Sequence, residues 1–401
     1  MPTSGLTPRQ HRLIRTQLAL IPSCVWAVHL WLLFWQQLPR PGNAERAHLV
    51  RDFLHFYTQG VIARLHDTHA LYDIAAMAGV AARAMPETTQ MFPPVYGPQV
   101  ALLFRPLASL SYLSALYVWL AFTIVGTSVC LAVTWRRCPE PRPSAWVIAV
   151  LALGLPGLHF TLSFGQASVV GVAALTAIWL ALRADRMFLA GLAVGLLAYK
   201  PQLGIVAAAV FVLRGEWNVV AGALASVAGQ ALVAAEYWGA SVFSGYAHAL
   251  RQLPHVFTAM EPDPQLSYSM RAVLVGLGLS PTTALVLSAG LSVVVVVAVV
   301  RSWHPDLPVE RQYSGLIFAT LLIDPHLYAY DLLLAAPAMT VATTLAWSRN
   351  QPISLWAIGV LYIAPILAAL LPRPAVAIPV ALAINLVLTL GLDSVNNVQV
   401  R

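Results

Sequence analysis

Leu196-Leu197-Ala198-Tyr199-Lys200-Pro201-Gln202-Leu203-Gly204 holds the only lysine of the chain, and apolar sequence flanks it on both sides. An ionisable group inside an apolar run is costly unless it reaches water, an interface or a partner. Lys200 therefore marks either a functional site or an interfacial anchor whose ammonium snorkels from a helix end. Pro201-Gln202 behind it turns the chain, which lets the ammonium face an aqueous cavity. The runs on either side, 187–199 and 201–213, are well short of the ~20 residues that a membrane-crossing helix needs. Arginine stands at both outer ends, Arg186 and Arg214. The two runs read as limbs of a hairpin with Lys200-Pro201-Gln202 at its tip.

Outward from this hairpin the same pattern repeats. Of 401 residues, 59% are hydrophobic and 10% charged, against about 25% charged in soluble domains. This composition predicts an all-α polytopic membrane protein. Further apolar runs cover 17–35, 111–135, 144–163, 166–182, 217–235, 283–301, 313–325, 330–347, 353–371 and 375–391, which makes about twelve crossings. Arginines 9, 12, 15, 136, 137, 142, 183, 186, 214, 301, 311, 349 and 401 fall on one side if each run crosses once. Positive charge marks the cytoplasmic side, so both termini are expected there. The net charge of +7 is then an orientation signal; its arginines form no basic face, and no nucleic acid is expected. Cys24, Cys130 and Cys138 lie in or beside apolar runs and suggest no disulfide framework. Ile21-Pro22-Ser23-Cys24 fits a lipoprotein box poorly, so the first run reads as an uncleaved span.

Two segments are too polar to span. In the first extracytoplasmic loop, 36–110, apolar residues recur at helical spacing over 46–65 and 69–84, which predicts two amphipathic helices at the outer interface. Met91-Phe92-Pro93-Pro94-Val95-Tyr96-Gly97-Pro98 is a turn-rich link. A short, partly embedded helix over 99–110 carries Arg105. The second such loop is 236–282. A second hairpin, 313–325 with 330–347, has the tip Asp324-Pro325-His326-Leu327-Tyr328-Ala329-Tyr330-Asp331. No repeat and no separate soluble domain is apparent, so 1–401 reads as a single membrane domain.

The polar residues converge on the extracytoplasmic side. Carboxylates, histidines and cations at membrane depth suit a lipid-linked, charged substrate: cations hold a phosphate and a carboxylate takes a proton from an acceptor hydroxyl. Asp52 reads equally well as a first-turn acid favoured by the helix dipole, and Asp73 as a solvated cap. Asp324-x-His326 fits a metal pair or a hydrogen-bonded helix terminus. There is no H-E-x-x-H, cysteine–histidine cluster, G-x-S-x-G, P-loop or dinucleotide fingerprint, and neither metal nor cofactor is expected.

Several motifs in order resemble the GT-C-type membrane glycosyltransferases of family 87. They are Asp52-Phe53-x-x-Phe56-Tyr57, Pro93-Pro94-x-Tyr96 followed by Ala101-Leu102-Leu103-Phe104-x-Pro106-Leu107, Gly165-Gln166, Lys200-Pro201-Gln202, and Pro325-His326-Leu327-Tyr328-x-Tyr330-Asp331-Leu332. The best-known member type is the mycobacterial phosphatidylinositol-mannoside α-1,2-mannosyltransferase. The resemblance implies a GT-C fold and an extracytoplasmic active site in a bacterial plasma membrane. It implies a polyprenyl-phosphate sugar donor, with mannose the leading sugar, and a lipid or glycan acceptor. It makes Asp52 the general base. Lys200 and His326 become phosphate ligands. Beside them, Arg105 or Arg271 is expected to assist at the phosphate, and His55, Tyr57, Gln166, Gln202 and Tyr328 are expected to bind substrate. Phe164 stands where the family carries asparagine in an Asn-Gly-Gln-like tripeptide. The different-class alternatives are a transporter or flippase of an anionic or lipid-linked substrate, favoured by broken helices, and a non-catalytic scaffold.

Overall fold

The computed structural model describes residues 24–40, 51–86, 92–260, 267–370 and 376–391. The amino-terminal arginines, the start of the first run, residues 41–50, the 87–91 stretch, the middle of the second loop at 261–266, residues 371–375 and the carboxyl terminus lie outside them. Among the described residues the structure is helical, and the one β-bridge joins Ser267 to Tyr328.

The chain builds α1 (24–37), α2 (Arg51–Leu65), α3 (Ile74–Ala84), α4 (Pro98–Phe104) and α5 (Tyr112–Arg137). There follow α6 (Ala145–Leu153), α7 (Pro156–Phe164), α8 (Ser168–Arg183), α9 (Met187–Gly195), α10 (Ile205–Leu213) and α11 (Trp217–Trp238). The remainder is α12 (Val242–Met260), α13 (Met270–Gly276), α14 (Pro281–Ser302), α15 (Val309–Ile323), α16 (Ala336–Ser348), α17 (Pro352–Leu370) and α18 (Ala377–Gly391).

Four helical segments are long and apolar enough to cross a membrane among the described residues: α5, α11, α14 and the stretch Ala329–Ser348. The pair α6–α7 makes a fifth, bent by 48° where Gly154 and Pro156 interrupt it; proline supplies no amide hydrogen to the preceding turn. α8, the limbs of the Lys200 hairpin and α18 are apolar but shorter. α5, α11 and α14 turn much of their surface outward, with Val125, Leu232 and Val294 all exposed. Outward-facing aliphatic side chains on helices of this length fit a lipid-facing ring, and the chain is a helical membrane protein.

α9 and α11 carry glycine at their contact. Gly191 abuts Val219, Gly195 abuts Ala223 and Ser226, and a Cβ on Gly191 or Gly222 would run into facing backbone. Small residues let helices approach in this way. As α9 advances its partner residues on α11 advance too, so the two run parallel. α10 leads back from Lys200 to the start of α11, with Arg214–Glu216 as the reversal. Lys200 thus lies at the apex of a helical hairpin, and Arg186 and Arg214 lie at its base.

α2 differs from the expected surface helix. Residues 53–60 of α2 are buried all round. Phe53 and Tyr57 pack on Tyr112 of α5, and Phe56 stacks on Phe104 of α4 with ring centroids 4.7 Å apart. Aromatic residues on two faces of one helix need cover on both, so α2 is inserted into the protein. At the opposite end of α15, Arg183 pairs with Glu310, and the buried Arg311 donates from Nε to the Thr389 carbonyl at 2.6 Å. α17 and α18 close the bundle there; the buried Asn385 donates to Ala357 and Ala381.

Candidate active site

The residue before a proline is pushed out of the helical region. Lys200 accordingly has φ −138° and ψ 82°, between 3₁₀ turns at Leu196–Tyr199 and Pro201–Gly204. This break aims its side chain into the protein. The residue is 8% exposed, its ammonium lies 2.5 Å from Asp331 Oδ1 and 5.3 Å from the centre of the Tyr330 ring. Burial opposes the charge, but Asp331 and Asp324 outweigh it, so the pKa of Lys200 lies above its ordinary value.

Asp331 belongs to the second hairpin tip. α15 ends at Asp324, whose Oδ1 accepts from the amide of His326 at 2.9 Å. The chain resumes as a 3₁₀ helix, Ala329–Ala335, and Asp331 Oδ2 accepts from the Tyr328 amide at 3.2 Å. The Asp324-x-His326 spacing is therefore a hydrogen-bonded helix terminus. The rings of Tyr328 and Tyr330 stack at 5.5 Å, with His326 4.6 Å from Tyr328. α7 supports this loop from below. Gly157 lies so close to Leu332–Leu333 that a Cβ would meet their backbone, and Thr161 Oγ1 donates to the Tyr330 carbonyl at 3.1 Å. From above, Tyr268 donates its amide to Leu327 at 2.7 Å, which ties the start of α13, and Arg271 on it, to the His326 loop.

α7 ends at Gly165 with φ +68°, a left-handed conformation that glycine adopts freely. Trp119 Nε1 holds the Gly165 carbonyl at 3.1 Å. The turn presents Gln166, whose Nε2 donates to Asp52 Oδ2 at 2.8 Å and whose Oε1 accepts from the Ala167 amide at 3.1 Å. Asp52 sits in the first turn of α2, yet its carboxylate is turned to Gln166. Burial raises its pKa from 3.8 to about 6, against the lowering effects of the Gln166 hydrogen bond and of Lys200 and His326. Asp324 lies within electrostatic reach of Lys200. Asp52, Gln166, Lys200, Asp324, His326 and Asp331 thus form one electrostatic cluster drawn from four distant stretches of sequence. Tyr96 joins it from the proline-rich link, beside Gln166, Asp52 and Lys200.

The remaining expected residues are placed variously. His55 is buried one turn after Asp52, its ring 5.9 Å from that of Tyr96. Gln202 is half-buried two residues past Lys200. Tyr57 points elsewhere on α2 and donates to the Leu110 carbonyl at 2.9 Å. Arg105 is exposed, 5.4 Å from the Tyr237 ring. Tyr237 also lines an open groove of about 590 Å³ with His66, Leu102, Leu232, Val233 and Glu236. Phe164 meets the Tyr330 ring edge-on at 5.9 Å. Asp67 and Asp73 accept local backbone amides, from Ala70 and from Ala75 and Ala76, as caps do.

Sequence reasoning assigns no role to Asp331, Tyr96 or Tyr330. One signal points to Asp331: a lone buried lysine requires a carboxylate partner, and the second tip carries two.

The family model for Glycosyltransferase family 87 matches residues 95–325. That is more than half of the chain, which belongs to this family and is a glycosyltransferase. The matched stretch contains Gln166, Lys200 and Asp324; it begins after Asp52 and stops short of His326 and Asp331. No curated protein and no solved structure matches the chain.

Proposed function

We propose that this protein is an inverting GT-C-fold enzyme of about twelve crossings that moves a hexose, with mannose the leading candidate, from a polyprenyl-phosphate donor to a lipid or glycan acceptor. The reaction takes place on the extracytoplasmic face of a bacterial plasma membrane. Asp52 accepts the proton of the acceptor hydroxyl as that oxygen bonds to the anomeric carbon. The bond from that carbon to the phosphate oxygen breaks on the opposite side, and polyprenyl phosphate leaves with the electron pair. Gln166 orients the carboxylate through Oδ2, and Oδ1 takes the proton. A base with a pKa near the working pH suits this step.

An ammonium has three N–H donors. Asp331 engages one, and the donor phosphate takes another. His326 and, from α13, Arg271 complete the anion site, where growing negative charge is stabilised as the bond breaks. Gln202 and Tyr328 flank it. The observation that carries this reading is a buried carboxylate, hydrogen-bonded to Gln166, within electrostatic reach of a buried lysine and a histidine in a family 87 chain.

The test is a mass spectrum of glycolipids and glycans from cells with and without this chain. A species one hexose lighter should accumulate without it. Identical spectra would sink the reading.

A further inference from the structure

Three polar residues share one face of α2. At 100° per residue, Asp52, His55 and Gln59 fall within about 60° of one another, and Gln59 lies about 10 Å along the axis from Asp52. His55 is 4% exposed and Gln59 1%. Both ring nitrogens of His55 and Oε1 of Gln59 are buried and have no hydrogen-bond partner. Buried polar atoms are ordinarily paired, and leaving them unpaired costs stability that an apolar residue of similar shape would not. The sequence nonetheless places an imidazole and an amide there, one and two turns from the proposed base.

Their chemistry states what fits. Burial lowers the pKa of His55 to about 4, so the ring is neutral, with one donor and one acceptor nitrogen. Gln59 Oε1 accepts. A neutral group that both donates and accepts satisfies this pair, whereas a phosphate offers acceptors where Oε1 needs a donor. The pair is thus distinct in kind from the cationic Lys200–His326 side of the cluster. Tyr96 lies beside both His55 and Asp52.

We propose that His55 and Gln59 are the acceptor-reading site, binding two hydroxyls of the acceptor sugar and so fixing which hydroxyl reaches Asp52. This rests on Asp52 being the base. It makes the acceptor a polyhydroxylated ring, and it makes these two residues determinants of specificity.

The test uses the purified full chain in nanodiscs with octyl α-mannoside, octyl α-glucoside and octyl α-galactoside, which differ in hydroxyl configuration. Dissociation constants and sugar transfer from polyprenyl-phosphate mannose are read on the same samples. Wild type should prefer one epimer. His55→Phe and Gln59→Leu should each weaken that epimer by about tenfold, as loss of one buried hydrogen bond does, and flatten the preference, while melting at or above the wild-type temperature. His55→Asn, which keeps a donor and an acceptor, should recover part of the affinity. Variants that keep wild-type affinity and epimer preference overturn the proposal, as does a wild type that binds none of the three. A wild type that binds with these preferences but transfers nothing overturns the catalytic reading instead.

Discussion

The ammonium of Lys200 and the carboxylate of Asp331 meet at 2.5 Å across 131 residues of sequence. Each stands at the tip of a hairpin, so the pair ties the two hairpin tips together and positions the cation beside Asp52. A buried ion pair is costly to break from one side, because the remaining charge has no partner.

Lys200→Met should therefore destabilise the protein by about 3–5 kcal/mol, whatever the lysine does in catalysis. The double variant Lys200→Met/Asp331→Leu removes both charges and should regain most of the melting temperature without regaining affinity for the donor lipid. A double variant that binds donor as wild type does would reduce Lys200 to a structural role.

Asp52 carries its proton below about pH 6. A protonated carboxyl cannot act as base, so kcat/KM should fall as the pH drops through that value. The hydrogen bond from Gln166 favours the charged form, and removing it raises the pKa. Gln166→Leu should thus move the acid limb of the pH–rate profile upward. A limb that stays in place or moves down would detach Gln166 from the base.

Gly157 leaves no room for a side chain against Leu332–Leu333. Gly157→Ala should cost about 1–3 kcal/mol through overpacking, read as a lower melting temperature. The loop it displaces carries Asp331, so donor affinity should fall as well. Unchanged melting and donor affinity would show that this contact is not needed.

Both termini are predicted on the cytoplasmic side and the two tips outside. With Cys24, Cys130 and Cys138 replaced by serine, Glu140→Cys and Pro325→Cys should label from opposite sides of the membrane. Labelling of both from outside would overturn the topology.

Much of this arrangement is legible in the sequence. Lys200 announces itself by being a lysine in an apolar run, and Pro201 by breaking the helix behind it. The arginines at 186 and 214 mark the base of the hairpin, because both limbs between them are too short to cross alone. What sequence does not convey is contact between distant tips. Asp331 and Asp52 are each an acid in a polar loop until folding sets one against Lys200 and the other against Gln166. The burial of α2 is hidden for a related reason. Its aromatic residues recur as on an amphipathic helix, and only packing by α4 and α5 reveals that two faces are covered. Arg105 reads in the sequence as one more cation near the site, but its neighbour in the fold is Tyr237.

The central claim is that Asp52 is the base of a sugar transfer from a polyprenyl-phosphate donor. The most direct measurement follows labelled mannose from polyprenyl-phosphate mannose into native-membrane lipid acceptors, with purified wild type and Asp52→Asn in proteoliposomes. The substitution keeps size and removes the base, and base assistance is worth about 10²–10⁴ in rate. Transfer by wild type, with a loss of that size in the variant at unchanged melting temperature and donor affinity, is the predicted result. Transfer by Asp52→Asn within about tenfold of wild type would contradict it.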